Sequence, residues 1–352
     1  MTDPGLMDGA MQRALELAAA VRGRTSPNPW VGCVVSTPDG RTFEGATEPP
    51  GGPHAEAVAL AAAGDAAEGA TLVCTLEPCS HHGRTPPCAD AIVAAGVRRV
   101  VVALEDPDPH VAGRGLARLR EAGIEVHLGV GAEAAAALLA PYLKHRKTGR
   151  PWVVLKLAAS LDGRTAAPDG SSQWITGEAA REEGQKLRAE MGCVLIGAGA
   201  ARCDDPSLTV RLPGVRNQPL RVVLDPLGEL DPSLRLFDSS APTLHVVARA
   251  GRANQLELPL EAGRFDTRAL LRALYERGVT GVLVEGGAMT IARFIEQRTV
   301  DVIELFIAPK LLGSGPSWCE VPGLDKLENA MTMAIEQVAM IGEDLRVRLR
   351  PR

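Results

Sequence analysis

The chain has 352 residues, a length that suits two domains of ordinary size better than one. Hydrophobic residues make up 45% but aromatic residues only 3%, so both cores must rest on Ala, Val and Leu. A net charge of -5 lacks the basic footprint of a general nucleic-acid binder, while leaving room for a small basic pocket that holds one phosphate.

The N-terminal stretch Met1 to Leu17 has acidic residues and no basic run leading into an apolar core, so no signal peptide is expected. Met11 to Arg22 reads as an amphipathic helix and Val31 to Ser36 as a short strand. A helix at Ala55 to Ala63 and a strand at Ala70 to Leu76 follow. Next come a helix at Ala89 to Ala95, closed by Gly96, and a buried strand at Val97 to Leu104. Gly115 to Ala122 is helical, Ile124 to Leu128 a strand and Glu133 to Leu139 helical. Strands separated by helices indicate an α/β sheet covered on both faces. The basic, turn-prone stretch Tyr142 to Arg150 is read as the boundary, giving domains 1–148 and 149–352.

The alternation then restarts. Strands are expected at Trp152 to Leu157, Cys193 to Ile196, Leu220 to Leu224, Thr243 to Val247, Gly281 to Val284 and Val302 to Ile307. Helices are expected at Gly177 to Ala189, Thr267 to Arg277 and Met289 to Gln297. The sum is an open, mostly parallel sheet. No apolar run approaches the ~18 residues that a membrane span needs. Seven cysteines, an odd number in a chain of this size, fit reduced thiols in a cytoplasmic protein better than a disulfide framework.

Chemistry concentrates in His54-Ala-Glu56, Pro78-Cys79 and Cys88. One imidazole and two thiolates supply three ligands for one Zn²⁺ per chain and leave a fourth position open, the mark of a catalytic site. Pro53 suits a helix entrance, so His54 and Glu56 fall in the first helical turn. Cys88 precedes a helix, whose positive end is expected to favour its thiolate. The pattern matches the H-x-E and P-C-x-x-C signature of zinc nucleobase deaminases, with eight residues between the cysteines instead of two. Glu56 is the expected general acid–base, carrying a proton from water to a ring nitrogen and then to the leaving amine. His81 and His82 could compete as ligands, whereas Cys33 and Cys74 read as small buried apolar residues.

Thr75-Leu-Glu-Pro-Cys-Ser-His-His-Gly-Arg-Thr-Pro-Pro-Cys88 resembles the bifunctional deaminase–reductase family of riboflavin biosynthesis. So do Pro27-Asn28-Pro29, Val31-Gly32-Cys33, Asp106-Pro-Asp-Pro-His-Val-Ala-Gly-Arg-Gly115 and Lys156-Leu-Ala-Ala-Ser-Leu-Asp-Gly-Arg-Thr165. The resemblance implies a cytidine-deaminase-like three-layer domain followed by a dihydrofolate-reductase-like α/β domain. It also implies hydrolysis of the 2-amino group of a diaminopyrimidinone ribosylamino 5′-phosphate, then NADPH-dependent reduction of the ribosyl group to ribityl. The partner is this small phosphorylated pyrimidine, with no nucleic acid or membrane, and a homo-oligomer is expected.

Val282-Leu-Val-Glu285-Gly286-Gly287-Ala288 lies between a strand and a helix, where backbone amides can approach a phosphate. By resemblance, cofactor phosphates lie on Gly287, Ala288, Met289, Thr290, Ile291, Ala292 and Arg293. Ala158, Trp174, Ala200 and Asp204 are further implied cofactor contacts, with Ala200 standing where the family often has threonine. Ser172, Arg188, Leu208, Arg211 and Glu285 are implied substrate contacts, and both arginines suit a phosphate. Lys156, a charge inside a strand, reads as a site residue. Three alternatives stay open: a deaminase with a degenerate reductase domain, a nucleic-acid base deaminase, and a zinc- and nucleotide-binding scaffold. Glu56 beside the ligands argues against the scaffold.

Overall fold

The computed structural model describes residues 4–80, 86–215, 217–252 and 254–352, and the chain divides into two compact units, Met1–Gly149 and Arg150–Arg352. In the first, α1 (Pro4–Ala20), β1 (Gly32–Ser36), β2 (Thr42–Ala46), α2 (Ala55–Ala63), β3 (Thr71–Cys74) and α3 (Cys88–Ala94) come in order. They are followed by β4 (Arg99–Val102), α4 (Arg114–Glu121), β5 (Glu125–Leu128), α5 (Ala132–Leu138) and α6 (Ala140–Thr148).

The strands form one sheet in the order β2-β1-β3-β4-β5. Side chains along them alternate between two apolar layers. Cys33, Val35, Leu72, Cys74, Val100 and Val102 pack with residues of α2, α3 and α4. Val34, Val73 and Val101 pack with Met11, Ala14 and Ala135 of α1 and α5. The unit therefore has three layers, and burial on both faces explains why its strands read as unbroken apolar runs.

Two expectations need correction. The basic stretch from Tyr142 is helical, not a turn: α6 ends on Gly149 at φ 64, and His145, Arg146 and Lys147 complement the negative end of its dipole. The strand β2 was not expected, because Thr-Phe-Glu-Gly-Ala has one fully buried residue in five. It lies antiparallel beside β1. Gly45 brings it against α2, since a Cβ there would sit 2.2 Å from the Ala55 carbonyl oxygen.

The second unit contains β6 (Trp152–Ser160), α7 (Glu178–Met191), β7 (Cys193–Gly197), α8 (Ala198–Asp204), β8 (Leu220–Leu224), β9 (Thr243–Val247) and β10 (Gln255–Glu257). A small ribbon, β11 (Leu260–Glu261) and β12 (Arg264–Phe265), leads to α9 (Thr267–Tyr275). Then come β13 (Gly281–Val284), α10 (Ala288–Glu296), β14 (Val302–Ala308), β15 (Met333–Ile341) and β16 (Asp344–Pro351). The sheet order is β10-β9-β8-β7-β13-β6-β14-β16-β15. It is parallel up to β14, and the unexpected pair β15 and β16 closes it antiparallel. No described helix is long and apolar enough to cross a membrane.

One buried carboxylate organises the C-terminal edge of the first sheet. Glu77, just past β3, accepts the amides of Asp106 at 3.1 Å, Gly113 at 3.0 Å, Gly115 at 2.8 Å and Leu116 at 3.2 Å. Gly115 is required for this approach, because a Cβ there would lie 2.0 Å from the Pro78 carbonyl oxygen. Glutamine at position 77 would offer one acceptor oxygen in place of two. Each buried amide left unmet costs about 1–3 kcal/mol. Glu77→Gln should therefore lower hydrogen-exchange protection of the Asp106, Gly113, Gly115 and Leu116 amides by at least about tenfold. Unchanged protection would contradict the assignment.

Candidate metal centre and second site

His54 stands at the N-cap of α2, with φ -76 and ψ 163, and its side chain does not cap the helix. The ring is therefore left to face the sulfurs. Its Nδ1 lies 3.6 Å from Cys79 Sγ and 3.4 Å from Cys88 Sγ. The three ligand atoms lie within 4.8 Å of one another. Tetrahedral zinc with ordinary bond lengths would set nitrogen and sulfur about 3.6 Å apart, so this donor set fits the ion in both chemistry and spacing. Other ligands raised by the sequence, His81 and His82, lie outside the described residues. Cys33 and Cys74 are fully buried, and burial pushes both thiols well up.

One electrostatic expectation is corrected. Cys88 is the first residue of α3, but its amide donates to Cys79 Sγ at 3.4 Å. The positive end of the helix thus serves Cys79. A hydrogen bond from the Cys88 thiol, with others from His54 and the Cys88 amide, lowers the Cys79 pKa against the opposing effect of burial. Cys88, beside that sulfur, is raised.

Glu56, in the first turn of α2, is 4% exposed. Burial pushes its carboxyl up to about 7, with the Cys79 sulfur adding to the shift and His54 opposing it. A carboxyl poised near neutrality suits proton transfer in both directions. His54, Cys79 and Glu56 open onto a cavity of about 340 Å³ whose walls also carry Asn28, Asp106, Asp108, Tyr142 and Arg146. The sequence reading gave none of these five a role. The signal was present for Asn28 and for Asp106-Pro-Asp108, which sit in motifs already singled out. Tyr142 and Arg146 were hidden in the stretch read as a linker.

In the second unit, Lys156, Arg188, Arg211 and Glu285 come together. Arg188 forms a two-pronged ion pair with Glu285, Nε to Oε1 at 2.5 Å and Nη2 to Oε2 at 2.8 Å. Burial alone would raise the Glu285 pKa, but Arg188 first, then Lys156 and Arg211, bring it down. Lys156 in β6 is itself lowered by burial, and its Nζ lies 5.7 Å from the centre of the Phe306 ring. Arg188 also donates to the Thr209 carbonyl at 3.2 Å, so Glu285 and this carbonyl hold its guanidinium. The exposed Arg211 makes no ion pair among the described residues.

The glycine turn is built by close packing. A Cβ on Gly286 would lie 2.8 Å from the Ile196 Cα, and one on Gly197 would lie 2.4 Å from Thr290 Oγ1. Gly287, at φ 24, caps α10 and accepts the Thr290 amide at 3.0 Å and the Ile291 amide at 3.2 Å. The amides of Ala288 and Met289 thereby face outward at a helix N-terminus, a fitting cradle for a cofactor phosphate. Ile291 and Ala292 are core residues, and Arg293 binds the Phe265 carbonyl at 3.1 Å and Glu296 at 3.2 Å.

The remaining residues divide. Ala158 is half-buried on β6, Ser172 half-buried in the following loop, and Asp204 exposed at the end of α8. Ala200 packs at the rim of the apolar cluster that contains Leu208. Leu208 has a positive φ of 52 and a buried side chain, so only its backbone can meet a ligand. Trp174 is 62% exposed and lies under Arg181, 4.8 Å from its ring centre. Lys310, missed in the sequence, holds this turn by donating to the Trp174 carbonyl at 2.8 Å and the Ile175 carbonyl at 2.7 Å.

Two family models match the chain: the cytidine and deoxycytidylate deaminase zinc-binding region over residues 7–104, and the RibD C-terminal domain over residues 151–347. The riboflavin biosynthesis protein RibD of Escherichia coli K12 is 40% identical, covering 95% of this chain and 96% of that protein. RibD of Aquifex aeolicus VF5 is also 40% identical, covering 95% and 96%. Among solved structures, Acinetobacter baumannii RibD superposes with a TM-score of 0.92 at 38% identity, covering 99% of this chain and 100% of that one. A diaminohydroxyphosphoribosylaminopyrimidine deaminase/5-amino-6-(5-phosphoribosylamino)uracil reductase from Thermotoga maritima gives 0.89 at 34% identity, with 99% of each chain covered. The chain belongs to the RibD family of riboflavin biosynthesis proteins, with an N-terminal half of the zinc-binding deaminase type and a C-terminal half of the RibD reductase type.

Proposed function

We propose that this chain carries out two successive reactions of riboflavin biosynthesis, with residues 1–148 as the deaminase domain and residues 149–352 as the reductase domain. The first removes the 2-amino group of a diaminopyrimidinone ribosylamino 5′-phosphate by hydrolysis. The second reduces the ribosyl group of the product to ribityl with NADPH. The observation that carries the reading is the meeting of His54 Nδ1, Cys79 Sγ and Cys88 Sγ within 4.8 Å of one another, at the wall of a cavity onto which the buried Glu56 opens.

His54, Cys79 and Cys88 would hold one zinc ion. When bound, zinc supplies Lewis acidity that brings the pKa of water towards about 7. Glu56 takes one proton of the attacking water and delivers it to a ring nitrogen, then takes the proton of the new hydroxyl and delivers it to the departing amine. The ring C–N bond breaks, ammonia leaves and a carbonyl remains.

In the reductase domain, the first turn of α10 would hold the cofactor phosphates through the amides of Ala288 and Met289, with Ala158, Trp174, Ala200 and Asp204 along the rest of the cofactor. When bound, NADPH supplies the reducing equivalents. Arg211 is the cation assigned to the substrate phosphate. Glu285 and Lys156 meet the ribosyl end, with Arg188 keeping Glu285 ionised. Ser172 and the Leu208 backbone complete the substrate contacts. The protein works in the cytoplasm and as a homo-oligomer; the exposed Ile335, Val338 and Met340 on the edge strand β15 support the second point.

Three outcomes follow. Cys88→Ser should lose zinc and deamination together, and full zinc content by elemental analysis would count against the ligand set. Glu56→Gln should keep its zinc while deamination falls by at least about 10²-fold, the ordinary worth of a general acid–base. The same variant should still reduce the deaminated intermediate at nearly the wild-type rate, and a parallel loss of both activities would refute separate sites. Arg211→Ala should raise the reductase KM for phosphorylated substrate about 10- to 150-fold. An unchanged preference over the dephosphorylated compound would remove Arg211 from that role.

A further inference from the structure

The walls of the metal-site cavity carry four carboxyls, Glu56, Glu77, Asp106 and Asp108, yet Arg146 is the only lysine or arginine among the described residues that line it. A substrate bearing a phosphate dianion is repelled by such walls unless a cation answers it. Arg146 is well placed to be that cation. It lies in the last turn of α6, with its guanidinium 5.3 Å from the centre of the Tyr142 ring. Tyr142 is itself fixed, its hydroxyl lying 3.0 Å from each oxygen of Asp106.

The pairing with Asp108 is loose. Arg146 Nε lies 3.3 Å from Asp108 Oδ2, but it makes no aligned hydrogen bond although it is shielded from solvent. About a third of the side chain, 34%, stays open. Asp108 therefore anchors the guanidinium by charge without consuming its donors. A planar fork held over an aromatic ring, with donors to spare, is the arrangement that matches phosphate oxygens.

We propose that Arg146 reads the 5′-phosphate of the substrate in the deamination cavity, with Tyr142 and Asp108 holding its guanidinium in place. This rests on the phosphorylated pyrimidine substrate proposed above. It assigns that phosphate a separate cation in each domain, Arg146 in the first and Arg211 in the second.

The test compares deamination of the phosphorylated substrate with that of its dephosphorylated counterpart, using zinc-loaded wild type, Arg146→Met, Arg146→Lys and the double variant Asp108→Asn/Arg146→Met. Arg146→Met should lose about 10- to 100-fold in kcat/KM on the phosphorylated substrate, mainly through KM, and little on the other. Arg146→Lys should recover part of the loss. Calorimetric titration with ribose 5-phosphate in an Arg211→Ala background, which removes the cation assigned to the second site, should show binding that weakens at least about tenfold when Arg146→Met is added. If Arg146 only neutralises Asp108, the double variant will regain the phosphate preference, and that result overturns the proposal. Equal losses on both substrates, or unchanged ribose 5-phosphate binding, overturn it too. Failure of the zinc-loaded wild type to deaminate either compound would instead overturn the functional reading, and this inference with it.

Discussion

Glu77 gathers four amides from residues 106–116 onto one buried carboxylate, and two residues later Cys79 faces His54 and Cys88. The same short segment therefore sets a metal-ligand arm and the cavity wall that carries Asp106 and Asp108. Tyr142 and Arg146 reach that wall from α6 and bind it in turn. Losing the Glu77 contacts would loosen ligand and wall together, since a site that is misplaced by an ångström loses much of its catalytic advantage. The first site is thus one mechanical unit built at the C-terminal ends of β3 and β4, where parallel strands of an open α/β sheet place their ligands.

The second unit meets the same problem differently. Its charged groups gather around Lys156 in the middle of β6 and Glu285 just past β13, and the Arg188–Glu285 pair is nearly closed to solvent, at 15% and 11%. Removing one partner of such a pair typically costs about 3–5 kcal/mol, because the other charge is left buried. Lys156 and Arg211 add positive potential that keeps Glu285 ionised. The glycine turn after β13 succeeds for a steric reason: Ile196 and Gly197 of β7 leave no room for a Cβ at Gly286.

The buried parallel strands were legible because burial on both faces forces continuous apolar runs, as in Val100-Val101-Val102 and Gly281-Val-Leu-Val284. Edge and antiparallel elements were not. In β15 most residues are exposed, and in β16 arginine alternates with apolar residues, so neither announces itself as core. Helix α6 was misread because its run of basic residues, Lys144 to Lys147, resembles a linker, although the three in the last turn suit a helix end. His54, Glu56, Cys79 and Cys88 stood out because metal chemistry demands particular residue types at particular spacings. Glu77 did not, because its partners are backbone amides 29 to 39 residues away, which leave no trace in residue type. For the same reason the sequence could not reveal that Arg188 is already occupied, or that the first amide of α3 serves Cys79 rather than Cys88.

The account stands on one chain performing deamination first and reduction second, at separate sites. The most direct measurement incubates the purified zinc-loaded protein with the diaminopyrimidinone phosphate, with and without NADPH, and follows ammonia and both products by mass. Without NADPH the ribosylamino uracil should accumulate with one ammonia per molecule. With NADPH it should be converted to the ribityl compound with one NADPH consumed. Oxidation of NADPH on the undeaminated substrate before any ammonia appears would contradict the order, and ammonia release that depends on NADPH would contradict the separation of the sites.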